Sequence, residues 1–184
     1  MNGFVLWFTG IPSSGKSTLA AAVAERLARR GLALEILDGD EVRPHLSAGL
    51  GFSRHDRDVN VRRVGYVCNL LARNGVIAIA ALVSPYRATR DQVRAACQAP
   101  FVEVLTACPV AVAAARDPKG LYARQAQGEL SGLTGVDDPY EEPLQPDLVC
   151  ATDQLGVEEC AASVLQLLER RRLIAPPPGA GGQG

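Results

Sequence analysis

The sequence has few residues of the kinds that build metal centres or disulfide frameworks. Its 184 residues include five cysteines and two histidines. The cysteine count is odd and no CxxC pair occurs, so neither a zinc site nor a disulfide framework is expected. Nineteen basic residues nearly balance twenty acidic ones, giving a formal net charge of -1. We therefore expect no nucleic-acid partner and no membrane partner, since both need a strongly basic surface.

Long hydrophobic runs are also missing. The run from Gly75 to Val83 has about the length of a strand, far below the ~20 residues that a membrane span needs. The start, MNGFVLWFTG, has no basic region before its short apolar run, which argues against a signal peptide. We therefore expect a soluble, cytoplasmic protein. One domain is predicted over 1–172 and a disordered tail over 173–184, where the ending PPPGAGGQG has nothing to bury.

Short apolar runs alternate with amphipathic stretches along the chain. The predicted strands are 4–9, 33–37, 76–83, 101–106 and 147–150. The predicted helices are 16–30, 56–73, 89–97, 109–115 and 157–171. Residues 41–53 are predicted to form a loop, because Pro44, Gly49 and Gly51 interrupt any longer element. The alternation predicts an α/β fold of three layers, with a central parallel sheet flanked by helices. The polar segment 116–147 is long for a connection, which predicts a functional lid, placed at about 116–135, or a disordered segment.

One motif points to chemistry by itself. Residues 10–17, GIPSSGKS, fit G-x-x-x-x-G-K-[ST] between a predicted strand and a predicted helix. Such a loop cradles phosphates with its backbone N–H groups, its lysine neutralises the β- and γ-phosphates, and its serine ligates Mg²⁺. The sequence therefore predicts a P-loop NTPase fold, and the N-K-x-D guanine motif of GTPases is absent. The predicted nucleotide-binding residues are Gly10, Ile11, Pro12, Ser13, Ser14, Gly15, Lys16, Ser17 and Thr18, with Ser17 as the metal ligand.

Charged and aromatic side chains follow the other predicted strands. Asp38 and Asp40 could accept a proton from an attacking hydroxyl group or hold a metal through water, or could cap a turn. Phe52 and Tyr86 could stack on a base or belong to the core. Several arginines suit bidentate capture of phosphate or sulfate, although a solvated helix face would look the same. These are Arg43, Arg57, Arg62, Arg63 and Arg87.

Six strings in this order resemble the adenylylsulfate kinase family over residues 4–150. They are LDGDEVR at 37–43, GLGFS at 49–53, DRDVNVRRVG at 56–65, SPYRATRD at 84–91, RDPKGLY at 116–122 and LTGVDDPYEEP at 133–143. The resemblance implies transfer of the ATP γ-phosphate to the 3′-hydroxyl of adenylyl sulfate. It also implies a homodimer. The family's longer N-terminal segment has no counterpart before the first strand, so no contact through that segment is expected.

The same resemblance implies roles for individual residues. Asp40 matches the family's general base, and Ser84 matches a serine assigned either as a phosphoserine intermediate or as a substrate contact. Arg116 and Lys119 match cations of the mobile lid, Arg116 on the nucleotide side. Leu133 stands where the family usually has Phe, opposite Phe52 in a clamp on adenine. The implied substrate contacts are Asp40, Arg43, Phe52, Arg57, Asn60, Ser84, Pro85, Tyr86, Arg87, Lys119 and Leu133; the implied catalytic residues are Lys16, Asp40 and Ser84.

Two other functions stay open at this point. One is a P-loop kinase for a different small molecule, such as a nucleoside or an antibiotic hydroxyl group. The other is a nucleotide-binding regulatory or structural protein with an inactive site, although the intact Lys16, Ser17 and Asp40 count against it.

Overall fold

The computed structural model describes residues 3–176 and shows a parallel sheet between two layers of helices. The five strands lie in the order β2-β3-β1-β4-β5. They are β1 (Val5–Thr9), β2 (Leu34–Asp38), β3 (Ile77–Ala81), β4 (Phe101–Ala107) and β5 (Leu148–Ala151). The helices are α1 (Lys16–Arg29), α2 (Gly39–Leu46), α3 (Arg54–Arg73), α4 (Arg87–Ala96), α5 (Val110–Arg116), α6 (Leu121–Ala126) and α7 (Val157–Arg170). The predicted α/β class is confirmed.

The central strand β1 divides its side chains between two cores. Phe4, Leu6 and Phe8 point to the face covered by α1 and α7, and their cluster includes Leu19 and Leu168. The residues between them, Val5 and Trp7, join the cluster under α3 and α4. This alternation follows from the two-residue period of a strand. Since both faces are covered, β1 is apolar along its whole length, as expected for the middle of a parallel sheet.

The predicted loop over 41–53 is wrong in its first half, where the structure has α2. The Asp38 carboxylate accepts a hydrogen bond from the backbone N–H of Asp40 at 3.0 Å and caps the helix. Pro44 lies inside α2 and removes only the hydrogen bond that its N–H would donate to the carbonyl of Asp40. A short capped helix tolerates this loss, so counting Pro44 as a breaker misplaced the boundary.

The predicted tail begins too early. Leu173 packs against the α1–α7 core, and Ile174 is 4% exposed within that core. Two adjacent aliphatic side chains after α7 gain more by burial than by solvation, so the chain folds back before the proline-rich end. The rest of the predicted tail, 177–184, lies outside the described residues.

The carboxyl ends of all five strands meet at one edge of the sheet, where ligands of such folds bind. Residues 10–17 follow β1, the segment from Asp38 follows β2, and Ser84–Arg87 follows β3. Within residues 3–176, no helix is long and apolar enough to span a membrane. The same residues contain no group of three His, Cys, Asp or Glu side chains placed to hold a metal ion by themselves.

Candidate active site

The loop between β1 and α1 has the backbone shape of a phosphate cradle. Ser13 has a φ of 61° and Gly15, the residue that caps α1, has a φ of 92°. These left-handed conformations turn successive N–H groups toward one side, next to the positive end of α1. Gly10 is required for a different reason, since a Cβ there would lie 2.4 Å from Thr106 Oγ1 and 2.7 Å from Ser14 Oγ. The motif's two glycines therefore have structural explanations that fit the predicted cradle.

Lys16 lies inside this loop rather than in solvent. Its Nζ donates hydrogen bonds to the carbonyls of Gly10 at 2.9 Å and Ile11 at 2.7 Å, and its side chain is almost fully buried. Burial, helped by the positive charge of Lys119, lowers the pKa of Lys16 to about 7. A phosphate group in the loop would favour the charged ammonium form, because an adjacent negative charge stabilises it. The site thus couples anion binding to protonation of Lys16.

A serine–aspartate pair links the P-loop to the end of β2. Ser17 Oγ donates a hydrogen bond to Asp38 Oδ2 at 2.5 Å, and Asp38 Oδ1 caps α2 at Asp40. A hydroxyl and a carboxylate oxygen are the donors that Mg²⁺ prefers, usually with water and substrate phosphates completing its shell. The donor set therefore fits the ion predicted at Ser17. Asp38 joins it as a metal-binding candidate that the sequence analysis did not separate from Asp40.

The proposed general base, Asp40, is exposed at the start of α2. Its carboxylate forms an ion pair with Lys119 of the lid segment. The two residues are 79 positions apart in sequence, so the structure brings together a cation and a carboxylate that the sequence could only place on separate segments. Lys119 also acts on Lys16 through its charge.

Arginines surround the aromatic ring of Phe52. The Arg43 guanidinium lies 4.2 Å from the ring centroid and Arg57 lies 5.8 Å from it. Arg57 also donates to the Gly132 carbonyl at 2.6 Å and to Thr134 Oγ1 at 2.7 Å. The Phe52 ring itself is 64% exposed. The structure thus excludes a core role for Phe52 and leaves it available as a stacking surface. The side-chain oxygen of Asn60, on α3, accepts a hydrogen bond from the Ser47 hydroxyl.

The segment after β3 is mostly buried. Tyr86 is 3% exposed, the Arg54 guanidinium lies 4.4 Å from its ring centroid, and burial together with Asp138 raises its pKa. Pro85 accepts a backbone hydrogen bond from Glu141, and Arg87 donates two bonds to the Glu142 carbonyl. The predicted contacts on this segment therefore pack against the chain that follows the lid.

Ser84 lies buried against β1. Its side chain is 2% exposed and its Oγ accepts a hydrogen bond from Trp7 Nε1 at 3.1 Å. It also donates to Thr9 Oγ1 at 3.0 Å. The hydroxyl is thus held by two buried partners, Trp7 and Thr9. In the structure Ser84 supports the segment that it begins, and its role toward a nucleotide stays a prediction.

The lid segment places Arg116 beside the nucleotide loop. Its guanidinium donates to the Thr152 carbonyl at 2.5 Å, and Thr152 Oγ1 donates to the Ser14 carbonyl at 2.8 Å. Arg116 and the P-loop are therefore joined through Thr152, which follows β5. Sequence reasoning missed Thr152, although its position after a strand was a usable signal.

Leu133, predicted to face an adenine base, is buried among apolar side chains. It is 5% exposed and belongs to a small apolar cluster with Ile11, Ala113 and Tyr122. Burial of an aliphatic side chain lowers the free energy of the fold, and such a side chain has no aromatic face to stack on a base. The place of Leu133 opposite Phe52 in a clamp on adenine stays a prediction.

Comparison with known proteins decides the family. A sequence profile of the family described as adenylylsulphate kinase matches residues 2–151. The chain belongs to the adenylylsulphate kinase family. It is 50% identical over 173 residues to an adenylyl-sulfate kinase of Chloroflexus aurantiacus, covering 94% of this chain and 92% of that protein. It is 52% identical over 170 residues to a probable bifunctional SAT/APS kinase 2 of Sorangium cellulosum, covering 92% of this chain and 29% of that protein.

A solved structure of the same family is closely similar. The Mycobacterium tuberculosis APS kinase in complex with AMPPNP and APS is 41% identical, with a TM-score of 0.87, over 91% of this chain and 98% of that one. The fold inferred from the sequence thus agrees with an adenylylsulphate kinase structure.

Proposed function

We propose that this chain transfers the γ-phosphoryl group of ATP to the 3′-hydroxyl of adenylyl sulfate (APS), giving ADP and 3′-phosphoadenylyl sulfate, a step of sulfate activation. The observation that carries the proposal is the meeting, at one sheet edge, of the Lys16 loop with the acceptor-side segments after β2 and β3. The adenylyl-sulfate kinases that match nearly the whole chain support this choice of acceptor.

The donor nucleotide would lie on the P-loop. Residues Gly10 to Thr18 would surround the phosphates with N–H groups, while Lys16 would neutralise the charge that develops on the transferred group. Arg116, next to Thr152 and Ser14, would border the nucleotide on the lid side. Ser17 and Asp38 would hold Mg²⁺, which neutralises phosphate oxygens and orients them. Catalysis then consists of positioning and charge stabilisation, without a covalent intermediate on the protein.

The acceptor would lie between the segments after β2 and β3. Asp40 would take the proton of the attacking hydroxyl, and Lys119, its ion-pair partner, would add positive charge near the reacting phosphate. Phe52 would stack on the adenine. The proposed acceptor contacts also include Arg43, Arg57, Asn60, Pro85, Tyr86 and Arg87. Closure of the lid would exclude water and complete this set.

Two further parts of the proposal concern the setting of the reaction. We place the enzyme in the cytoplasm, where ATP is plentiful. We also propose a homodimer, supported by the exposed apolar ring of Tyr66 on the outer face of α3. Sedimentation of the wild-type chain and of Tyr66→Glu tests the dimer, because a charge in a two-fold contact shifts the mass toward the monomer. A single mass near 19.5 kDa for the wild type would contradict it.

The decisive experiment compares acceptors. ADP release is measured with APS, AMP, adenosine or no acceptor, at fixed ATP and Mg²⁺. We expect release that depends on APS, with the others at least about a hundredfold slower, because the sulfate is an anion for which the arginines provide partners. Preference for a nucleoside would indicate a different small-molecule kinase. Absence of release with every acceptor would indicate a nucleotide-binding protein without activity.

Asp40→Asn is the matched variant in this assay. It keeps the size of the side chain but removes its basicity, so turnover should fall about a hundredfold or more while the affinity for ATP stays within a few-fold. An equal loss of rate and ATP affinity would assign Asp40 a structural role.

A further inference from the structure

Arg90 is a buried arginine that the proposed mechanism does not use. It lies in the first turns of α4 and is 2% exposed. Burying a guanidinium group is costly unless its donors are paired. Here Nε donates to Glu103 Oε1 at 2.9 Å, one terminal nitrogen donates to the Ser84 carbonyl at 2.6 Å, and the other donates to the Glu141 carbonyl at 2.5 Å. One planar group therefore joins three separate chain segments.

Two of these partners frame the acceptor segment, residues 84–87. Ser84 has a φ of 41°, a conformation that residues with a Cβ rarely adopt and that needs surrounding structure to hold it. Glu141 is tied to the same segment twice more: its N–H donates to the Pro85 carbonyl at 2.8 Å, and its carboxylate accepts from the Arg87 N–H at 2.9 Å. Arg90 thus joins Ser84, at the start of the acceptor segment, to Glu141, which binds the rest of that segment.

The third partner anchors the arginine to the sheet. Glu103, on β4, is 4% exposed, and its other carboxylate oxygen accepts from Arg94 at 3.3 Å. Asp147 accepts from the Glu103 N–H at 2.6 Å, from Arg94 at 3.0 Å and from Arg171 at 2.6 Å. Both the carboxylate and the backbone N–H of Glu103 are therefore bonded within this ion network. Because Arg90 is bonded to Glu103 and to the Ser84 carbonyl, it ties the acceptor segment to β4.

We propose that Arg90 is a positioning residue that sets the conformation of the acceptor segment, and thereby the affinity for the acceptor nucleotide but not for ATP. The inference rests on the proposed function for the identity of that nucleotide. Lysine cannot replace this arginine, because an ammonium on a flexible stem does not span three acceptors in one plane. The P-loop has no bond to Arg90 among the residues described, so binding of ATP should be insensitive to the change.

Arg94 provides a matched control on the same helix. It shares the Glu103 carboxylate with Arg90, but its other bonds go to the Phe101 carbonyl and to Asp147 rather than to the acceptor segment. Arg90→Lys and Arg94→Lys both keep the charge and remove the guanidinium fork. A merely structural role of the ion network would make the two variants alike in kinetics.

The test compares the two variants in steady-state kinetics and hydrogen–deuterium exchange. For Arg90→Lys we expect KM for APS to rise about tenfold or more, equivalent to ~1.4 kcal/mol, with KM for ATP within about twofold. For Arg94→Lys we expect both KM values within about twofold. Exchange should quicken at 84–87 and 140–142 in Arg90→Lys only. Equal KM values in both variants, with unchanged exchange at these residues, would overturn the inference.

Two arms keep the outcome interpretable. If Arg90→Lys does not fold, Arg90→Met removes the guanidinium group without leaving an unpaired charge at this position, and the same selective rise in KM for APS is expected. An unchanged KM in that variant would refute the positioning role of Arg90. The exchange measurement needs no activity: if the wild type does not phosphorylate APS, the proposed function fails, whereas faster exchange confined to the segment still supports the positioning role.

Discussion

The protonation of Lys16 gives the sharpest quantitative prediction. Its ammonium is buried in the P-loop and bound to the carbonyls of Gly10 and Ile11, and burial lowers its pKa from 10.5 to about 7. Without nucleotide, half of the molecules therefore carry a neutral Lys16 near pH 7. We expect a bound triphosphate to raise this pKa strongly, because phosphate charges stabilise the ammonium and replace the solvation that it has lost.

The size of the effect follows from the shift. Lowering the pKa from 10.5 to about 7 disfavours the charged form of Lys16 in the free protein by about 5 kcal/mol. Above pH 7, the free protein must take up a proton before the charged complex forms. The affinity for AMPPNP should therefore fall as pH rises, by up to about tenfold per pH unit between pH 7 and pH 10.

The pKa of Lys16 can be measured by NMR with little overlap of signals, since the sequence contains only two lysines, Lys16 and Lys119. In protein with isotope-labelled lysine, NMR should show one side-chain signal that titrates near pH 7 and moves to a much higher midpoint with AMPPNP. Lys119→Gln assigns the signals, and it should raise the midpoint of Lys16 because one repelling charge is removed. A midpoint above pH 9 without nucleotide, or one that AMPPNP leaves unchanged, would refute the reasoning.

Three further predictions concern residues around the site. Ser84→Ala should leave turnover within a few-fold but cost about 1–3 kcal/mol of unfolding free energy, because Trp7 Nε1 loses its buried acceptor; a loss of turnover by orders of magnitude at unchanged stability would restore a catalytic Ser84. Asp38→Asn should raise the Mg²⁺ concentration for half-maximal rate about tenfold or more at fixed ATP, and an unchanged Mg²⁺ dependence would exclude Asp38 from the metal site. Burial raises the pKa of Asp147, but the Glu103 N–H, Arg94 and Arg171 outweigh it and hold the pKa below its ordinary value. The stabilisation is therefore present above pH ~4 and is lost as pH falls through the lower folded pKa. Melting temperatures of wild type and Asp147→Asn should differ at pH 7, and the difference should shrink as pH falls below ~4; a constant difference would contradict this.

The parts of the site that sequence could predict are those set by short-range geometry. The cradle of residues 10–17 needs only a strand, two glycines and a helix start, all of which are local in sequence. The strand ends at Asp38 and Ser84 also follow from local pattern, because parallel strands present their carboxyl ends at one edge. The acceptor's identity came from the resemblance of several strings and not from periodicity.

The parts that sequence could not predict depend on partners that are distant in the chain. Leu133 and Ser84 are buried by Ile11 and Trp7, each more than 70 positions away. Arg90 is one of several arginines on an amphipathic stretch, and nothing in that stretch shows which arginine faces Glu103 and the Glu141 carbonyl. Pairing of a buried charge is a tertiary property, so only the structure separates Arg90 from solvated neighbours such as Arg62.

The most direct test of the central claim is the identity of the product. Wild-type enzyme with ATP, Mg²⁺ and APS is followed by ³¹P NMR and mass spectrometry, with Lys16→Ala as the inactive control. We predict one new phosphomonoester signal on the 3′ position of APS for each ADP formed, with the phosphosulfate intact. ADP formed with APS unmodified, or phosphate retained on the protein, would contradict direct transfer between the two nucleotides.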